Sequence, residues 1–139
     1  MAGDPRVRPA RPADAAAIRA LQSHLRRPSP DLLEYALAAG NGSVSVADGS
    51  VVGYLVAVDA SDRPGRHVAE IAVAPGHRRE GRARGLLDAA VEGTDGPVTL
   101  QAHPDNGAAL ALYESAGFDV VGRRSGAYDD ADAIALRRG

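Results

Sequence analysis

The sequence predicts a mixed β-sheet flanked by helices, an α/β chain of the α+β kind. Three observations carry that expectation. Apolar patterning gives the element order β-α-α-β-β-β-α-β-α-β-β, in which helices are interspersed with hairpins. Asp48-Gly49, between two strand-like runs, is a two-residue hairpin turn. At Gly81 the apolar period changes abruptly from that of a strand to that of a helix.

Each element has its own local reason. Arg6 to Arg11 begins Arg-Val-Arg-Pro and is expected as a short edge strand, where prolines are tolerated. Asp14 is a candidate N-cap for a helix carrying Ala17, Ile18, Leu21 and Leu25 at helical spacing. Pro28 and Pro30 end that helix, and Asp31 to Ala39 forms a second one closed by Gly40-Asn41-Gly42. Ser43 to Ala47 and Val51 to Val58 make the hairpin, and His67 to Val73 is the next strand, stopped by Pro75-Gly76. From Gly81, residues Ala83, Leu86, Leu87, Ala90 and Val91 line one helical stripe, broken by Gly93 to Gly96. Val98 to Ala102 is a short buried-type strand. Asp105 or Asn106 caps a helix with Ala109, Leu112, Tyr113 and Ala116 inward and Gly117 at its C-terminal end. Phe118 to Gly122 and Ala133 to Leu136 complete the sheet.

Composition narrows the possibilities. A length of 139 residues and 45% apolar content suit a single domain over residues 1–139. With four Tyr, one Phe and no Trp, the core must be aliphatic, and any buried aromatic is conspicuous. A net charge of −2 opposes nucleic-acid binding. Without cysteine there is no disulfide, thiol nucleophile or thiolate metal site, and the four histidines show no metal-ligand spacing, so no metal is expected. No apolar leader or membrane-length run is present, which makes the expected location cytoplasmic, with no membrane partner.

Two segments carry chemistry. The first is Arg78-x-x-Gly81-x-Ala83, between a strand and a helix. Small residues let an anion approach the backbone, a helix N-terminus offers unpaired N–H groups, and Arg78, Arg79, Arg82 and Arg84 surround the position with guanidinium groups. A pyrophosphate-bearing cofactor suits that arrangement; a solvated basic helix start and an RNA-phosphate patch are the other readings. The second is Asn106-x-x-Ala109-x-x-x-Tyr113-x-x-x-Gly117-Phe118. Asn106 and Tyr113 are two helical turns apart and are expected on one face, an amide above a phenol, along which a long ligand could lie. The plainer reading makes Tyr113 a core aromatic and Asn106 only a cap.

Taken together, the strand ending Val73-x-Pro75, the Arg78-x-x-Gly81-x-Ala83 turn and the Asn106…Tyr113…Gly117-Phe118 helix resemble the GNAT superfamily of acetyl-CoA-dependent N-acetyltransferases. The similarity is strongest from about residue 68 to 123, and greatest to the ribosomal-protein alanine and protein N-terminal acetyltransferases. It implies the GNAT (acyl-CoA N-acyltransferase) fold and acetyl-CoA as cofactor. It implies that the backbone of Ile71, Ala72 and Val73 pairs with the pantetheine arm. Arg78, Arg79, Gly81, Arg82, Ala83 and Arg84 would hold the pyrophosphate. Asn106 and Ala109 would contact the cofactor, and Tyr113 would protonate the departing thiolate.

The implied reaction is direct attack of a neutral amine on the acetyl carbonyl. The base is expected to be Glu70, on the 68–73 strand, or His103, just past the 98–102 strand. The relatives carry a glutamate where this chain has Gln101, which cannot act as a base. Tyr128 resembles a tyrosine that lines the peptide entrance in N-terminal acetyltransferases, although Ala127 replaces its usual neighbour. Asp129, Asp130 and Asp132 either attract a cationic amine or form a solvated loop. The expected acceptor is a protein N-terminal α-amine; a small amine, or a non-catalytic acyl-CoA-binding module, are the alternatives. The oligomeric expectation is a monomer or homodimer.

Overall fold

A computed structural model of the chain describes residues 4–23, 30–128 and 130–139. Seven strands form one sheet in the order β1-β2-β3-β4-β5-β7-β6. The strands are β1 (Val7–Pro9), β2 (Gly42–Ala47), β3 (Ser50–Asp59), β4 (Arg66–Val73), β5 (Val98–Ala102), β6 (Asp119–Arg124) and β7 (Ala133–Arg138). The helices are α1 (Ala15–Gln22), α2 (Pro30–Ala39), α3 (Arg82–Glu92) and α4 (Gly107–Ser115). Every neighbouring pair of strands is antiparallel except β4 and β5, which run parallel and are joined through α3. The mixed, helix-covered sheet expected from the sequence is therefore the fold.

The two faces have separate cores. Ile18, Leu21, Leu33 and Ala36 of α1 and α2 pack on Val44, Tyr54 and Val56. Leu86, Leu87 and Ala90 of α3 join Tyr113 and Ala116 of α4 over Leu55, Ala57, Val68, Val98, Leu100 and Leu136. Alternation along β3 makes this division, since Tyr54 and Val56 face one side while Leu55 and Ala57 face the other.

Local signals are obeyed in most places. Asp48 and Gly49 both have positive φ, 50° and 80°, as a type I′ hairpin turn requires. Gly117 closes α4 with φ 90°, while the Phe118 N–H donates to the Tyr113 carbonyl at 3.0 Å. Pro30 opens α2 instead of ending the helix before it, the first-turn position where a missing N–H costs nothing. Leu25 and Pro28 lie outside the described residues.

Asp14 departs from expectation. Its carboxylate makes no cap bond to α1. The Arg8 guanidinium takes it in a two-pronged contact, at 2.8 and 3.0 Å, and the Arg11 N–H donates to it at 2.8 Å. That pairing holds the Asp14 carboxyl below the usual carboxylate range and ties β1 to the start of α1.

One irregularity reorients a side chain with consequences for the site. Val56 pairs with Glu70 but Ala57 pairs with Val68, so Ala69 is an extra residue bulged out of β4. In a regular strand Glu70 would share a face with Val68, toward α3. The bulge turns it to the opposite face, toward α1 and Tyr54.

Leu86, fully buried at the centre of the α3–α4 core, provides a test of this packing. Leu86→Ala is expected to lower unfolding stability by ~2–5 kcal/mol, read from urea denaturation midpoints.

Candidate functional site

The site begins where β4 and β5 stop pairing. Their parallel register consists of Arg66↔Val98 and His67↔Thr99. Both strands then continue, β4 to Val73 and β5 to Ala102. A bond of 2.8 Å between His67 Nδ1 and Thr99 Oγ1 closes the joined end. Burial, and to a lesser degree the positive charge of Arg124, lowers the His67 pKa from its ordinary value, which favours the neutral ring at this seam. Past that seam Ile71, Ala72 and Val73 lie on a strand edge that β5 does not complete, and an extended ligand with amide groups can complete it by strand addition.

At the far end of β4 the chain makes a short 3-10 turn, Pro75–His77, and then enters α3. Arg79 and Gly81 have φ of 64° and 75°. The left-handed Gly81 leads directly into α3, whose first backbone N–H groups lack helical partners and can receive an anion. Gly81 adopts its positive φ without strain, whereas Arg79 does so against its preference. The turn is held from outside. Arg6 donates to the Glu80 carbonyl at 2.8 Å, and Arg78 Nε to the Val73 carbonyl at 3.1 Å.

The four arginines have different positions. Arg82 is buried, at 8% exposure, and directs its guanidinium to Ser45 Oγ, the Val46 carbonyl and Glu80, at 3.0, 3.2 and 2.9 Å. It braces α3 against β2, and what it presents at the helix start is its backbone. Arg78, Arg79 and Arg84 are exposed; Arg84 contacts Asp88 and the Ser115 carbonyl, linking α3 to the end of α4. Ala83 is half-buried against the α3–α4 core.

On α4, Asn106 is the N-cap, accepting from the Ala109 N–H at 3.2 Å. It is exposed, with non-helical φ and ψ of −87° and 70°, whereas Tyr113 is buried at 7% exposure. The two therefore do not share a helix face, because the capping residue sits outside the helical period. Ala109 and Tyr113, both within the helix, pack inward together. Burial, and then the neighbouring Tyr128 phenol, push the Tyr113 pKa up to about 12. Tyr113 therefore carries its proton at neutral pH.

Glu70 is the centre of a buried polar cluster. Its Oε1 accepts from Gln22 Nε2 at 2.8 Å and from the Tyr54 hydroxyl at 3.0 Å, and the residue is 5% exposed. Burial, reinforced by the Glu70 charge, raises the Tyr54 pKa, so Tyr54 stays a donor. Gln22 and Tyr54 were not anticipated from the sequence. Each left one trace: Gln22 is a polar residue four positions after Ile18 on an apolar stripe, and Tyr54 is a phenol in an aliphatic strand.

His103 is buried at 2% exposure. The Asp105 N–H donates to its Nδ1 at 3.0 Å, which leaves the proton on Nε2, 2.9 Å from Asp130 Oδ1. The Tyr128 ring meets it edge-on, with centroids 4.8 Å apart. His103, Asp105 and Asp130 have the composition of a metal-binding group and lie within 4.8 Å of one another. Two of the three are exposed carboxylates, and both ring nitrogens already have protein partners. Asp129 lies outside the described residues, and no helix among them is long and apolar enough to cross a membrane.

Known proteins are similar to this chain in sequence and in fold. Residues 14–118 match the model of the acetyltransferase (GNAT) family. Over 78 residues the chain is 46% identical to a mycothiol acetyltransferase of Corynebacterium urealyticum, a match spanning 52% of this chain and 23% of that protein. Over 71 residues it is 42% identical to the N-alpha-acetyltransferase RimI of Mycobacterium tuberculosis, spanning 49% and 45%. The matches thus cover about a quarter of the first protein's length and under half of the second's. Among solved structures, Ard1 from Thermoplasma volcanium superposes with a TM-score of 0.85 at 25% identity, over 99% of this chain and 97% of that one. The NatC complex bound to Gag peptide and CoA gives 0.82 at 24% identity, over 95% and 96%.

The raised Tyr113 pKa makes a prediction about stability. The folded state keeps this proton up to about 12, while the unfolded chain releases it near ~10. Its contribution is therefore complete below pH ~10 and is lost as pH climbs toward 12, by roughly 2–3 kcal/mol. Urea unfolding at a series of alkaline pH values should show the decline, and Tyr113→Phe should remove that part of it.

Proposed function

Because the chain belongs to the GNAT acetyltransferase family, we propose that it is an acetyl-CoA-dependent N-acetyltransferase acting on a primary amine, with a protein N-terminal α-amine as the favoured acceptor. One observation carries the reading: the parallel ladder of β4 and β5 ends after two residue pairs, beside a positive-φ turn at the N-terminus of α3. An open strand edge and a helix N-terminus side by side fit the two halves of coenzyme A, an amide-bearing arm and a pyrophosphate.

When bound, acetyl-CoA supplies an acetyl thioester that a neutral amine can attack. The backbone of Ile71 to Val73 holds the pantetheine arm, and an N–H of this strand donates to the carbonyl oxygen as negative charge develops there. The N–H groups at Gly81, Arg82 and Ala83, with the exposed Arg78, Arg79 and Arg84, receive the pyrophosphate. Asn106 and Ala109 flank the cofactor at the start of α4. Tyr113 Oη gives its proton to the leaving sulfur.

Glu70 takes the proton from the incoming ammonium, its carboxylate being held in one orientation by Tyr54 and Gln22. His103 is less suited to this work, since its Nδ1 lone pair already receives the Asp105 N–H. A carboxylate base removes a proton more readily from an α-ammonium, with pKa ~8, than from a lysine ammonium near ~10.4. That difference favours N-terminal acceptors, and Tyr128 forms part of the entrance to them. The identity to mycothiol acetyltransferases favours a second reading, a small-molecule amine acceptor at the same site.

Tyr113→Phe should lower kcat by ~10²–10⁴-fold while the Kd for coenzyme A stays within about twofold, measured by thiol release and calorimetry. Arg78→Glu with Arg79→Glu should weaken coenzyme A binding at least tenfold, by roughly 1.4 kcal/mol or more; an unchanged Kd would remove these residues from the phosphate site. A panel of N-terminal peptides and small amines, read by free thiol release, distinguishes the two acceptor classes, and turnover of neither would sink the enzymatic reading.

A further inference from the structure

We propose that His103 is a positioning residue that pins the connection between β6 and β7 against the body of the protein and thereby shapes the acceptor entrance. The inference rests on the acetyltransferase reading for its functional consequence and on geometry for the pin itself.

Both ring nitrogens have fixed tasks. Asp105 belongs to the short turn between β5 and α4, and its N–H fills the Nδ1 lone pair at 3.0 Å. The remaining proton must then reside on Nε2, where it meets Asp130 Oδ1 at 2.9 Å. The ring therefore works as an oriented donor, with no lone pair turned toward a substrate. Its burial, at 2% exposure, contrasts with that of Asp130, whose side chain is 62% exposed. A buried donor thus holds a loop carboxylate whose side chain is largely exposed.

The same ring holds a second loop residue. Tyr128 stands edge-on to His103 at 4.8 Å and an interplanar angle of 61°, a favourable aromatic geometry. The turn that carries both loop residues is closed by the Tyr128 N–H to the Ala131 carbonyl at 3.1 Å. Upstream, Ser125 and Gly126 are exposed. The Tyr128 phenol also adds, after burial, to the raising of the Tyr113 pKa. His103, just past β5, therefore touches Tyr128, whose phenol acts electrostatically on Tyr113 of α4. The ring contact and the Asp130 bond together anchor this loop to His103. Displacing Tyr128 alters the wall that an acceptor meets and leaves the strand edge and the turn at α3, where the cofactor is held, as they are.

Kinetics with saturating acetyl-CoA separate this role from that of a base. His103→Ala should raise the acceptor KM about tenfold, with a smaller fall in kcat and an unchanged KM for acetyl-CoA. His103→Gln, whose amide can donate to Asp130 but cannot accept a proton, should recover most of the acceptor KM. Asp130→Ala removes the same bond from an exposed position, so it should reproduce the KM shift without opening the core. In parallel, amide hydrogen exchange across the β6–β7 connection should rise in both alanine variants and fall back in His103→Gln. A His103→Gln enzyme with kcat as low as that of His103→Ala would make His103 a base and overturn the proposal; so would unchanged exchange in the alanine variants. A wild-type protein that acetylates no acceptor would defeat the activity reading alone, and the exchange comparison would still decide the pin.

Discussion

The site depends on how little β4 and β5 share. A parallel pair held at Arg66↔Val98 and His67↔Thr99 is enough to join the two parts of the sheet. It is too short to consume the rest of either strand's edge. The aliphatic core under α3 and α4 spans the join, with Leu55, Ala57 and Val68 on one side and Val98, Leu100 and Leu136 on the other. Packing thus keeps the strands in one sheet while hydrogen bonding is left incomplete, and that incompleteness is what an amide-bearing ligand can use.

The α3 N-terminus illustrates how tertiary contacts divide labour among like residues. Arg78, Arg79, Arg82 and Arg84 are alike as charges. In the fold, Arg82 is enclosed by Ser45, the Val46 carbonyl and Glu80, and becomes a brace between α3 and β2. Arg78, Arg79 and Arg84 stay exposed, Arg78 donating to the Val73 carbonyl and Arg84 to Asp88 and the Ser115 carbonyl. Arg6 adds a further tie, from the N-terminal segment to the Glu80 carbonyl. A turn with two left-handed residues is held in shape from both flanks, which keeps its N–H groups oriented before any ligand arrives.

Buried polar groups follow the same logic. Glu70 is acceptable in a nearly dry position because Tyr54 and Gln22 donate to it, and His103 because Asp105 and Asp130 occupy its two nitrogens. Each cluster draws on elements far apart in the chain: α1, β3 and β4 for the first, the β5–α4 turn and the β6–β7 connection for the second. The two candidate bases are thereby distinguished, one as a carboxylate held in orientation, the other as a donor tied to a loop.

The sequence by itself determined the element order, the hairpin at Asp48-Gly49, a cap for α4 at Asp105 or Asn106, the glycine that closes α4 at Gly117 and the strand-turn-helix around Arg78 to Arg84. These are local matters of periodicity, φ preference and capping, which neighbouring residues decide between them. Tertiary structure decided the rest. It placed Asp14 on Arg8 instead of on the helix, turned Arg82 inward, and separated Asn106 from the face of Tyr113. The bulge at Ala69 sent Glu70 across the sheet to Gln22, 48 residues away. A register shift and a long-range hydrogen bond both depend on which strand lies alongside, and nothing within a strand's own residues specifies that neighbour.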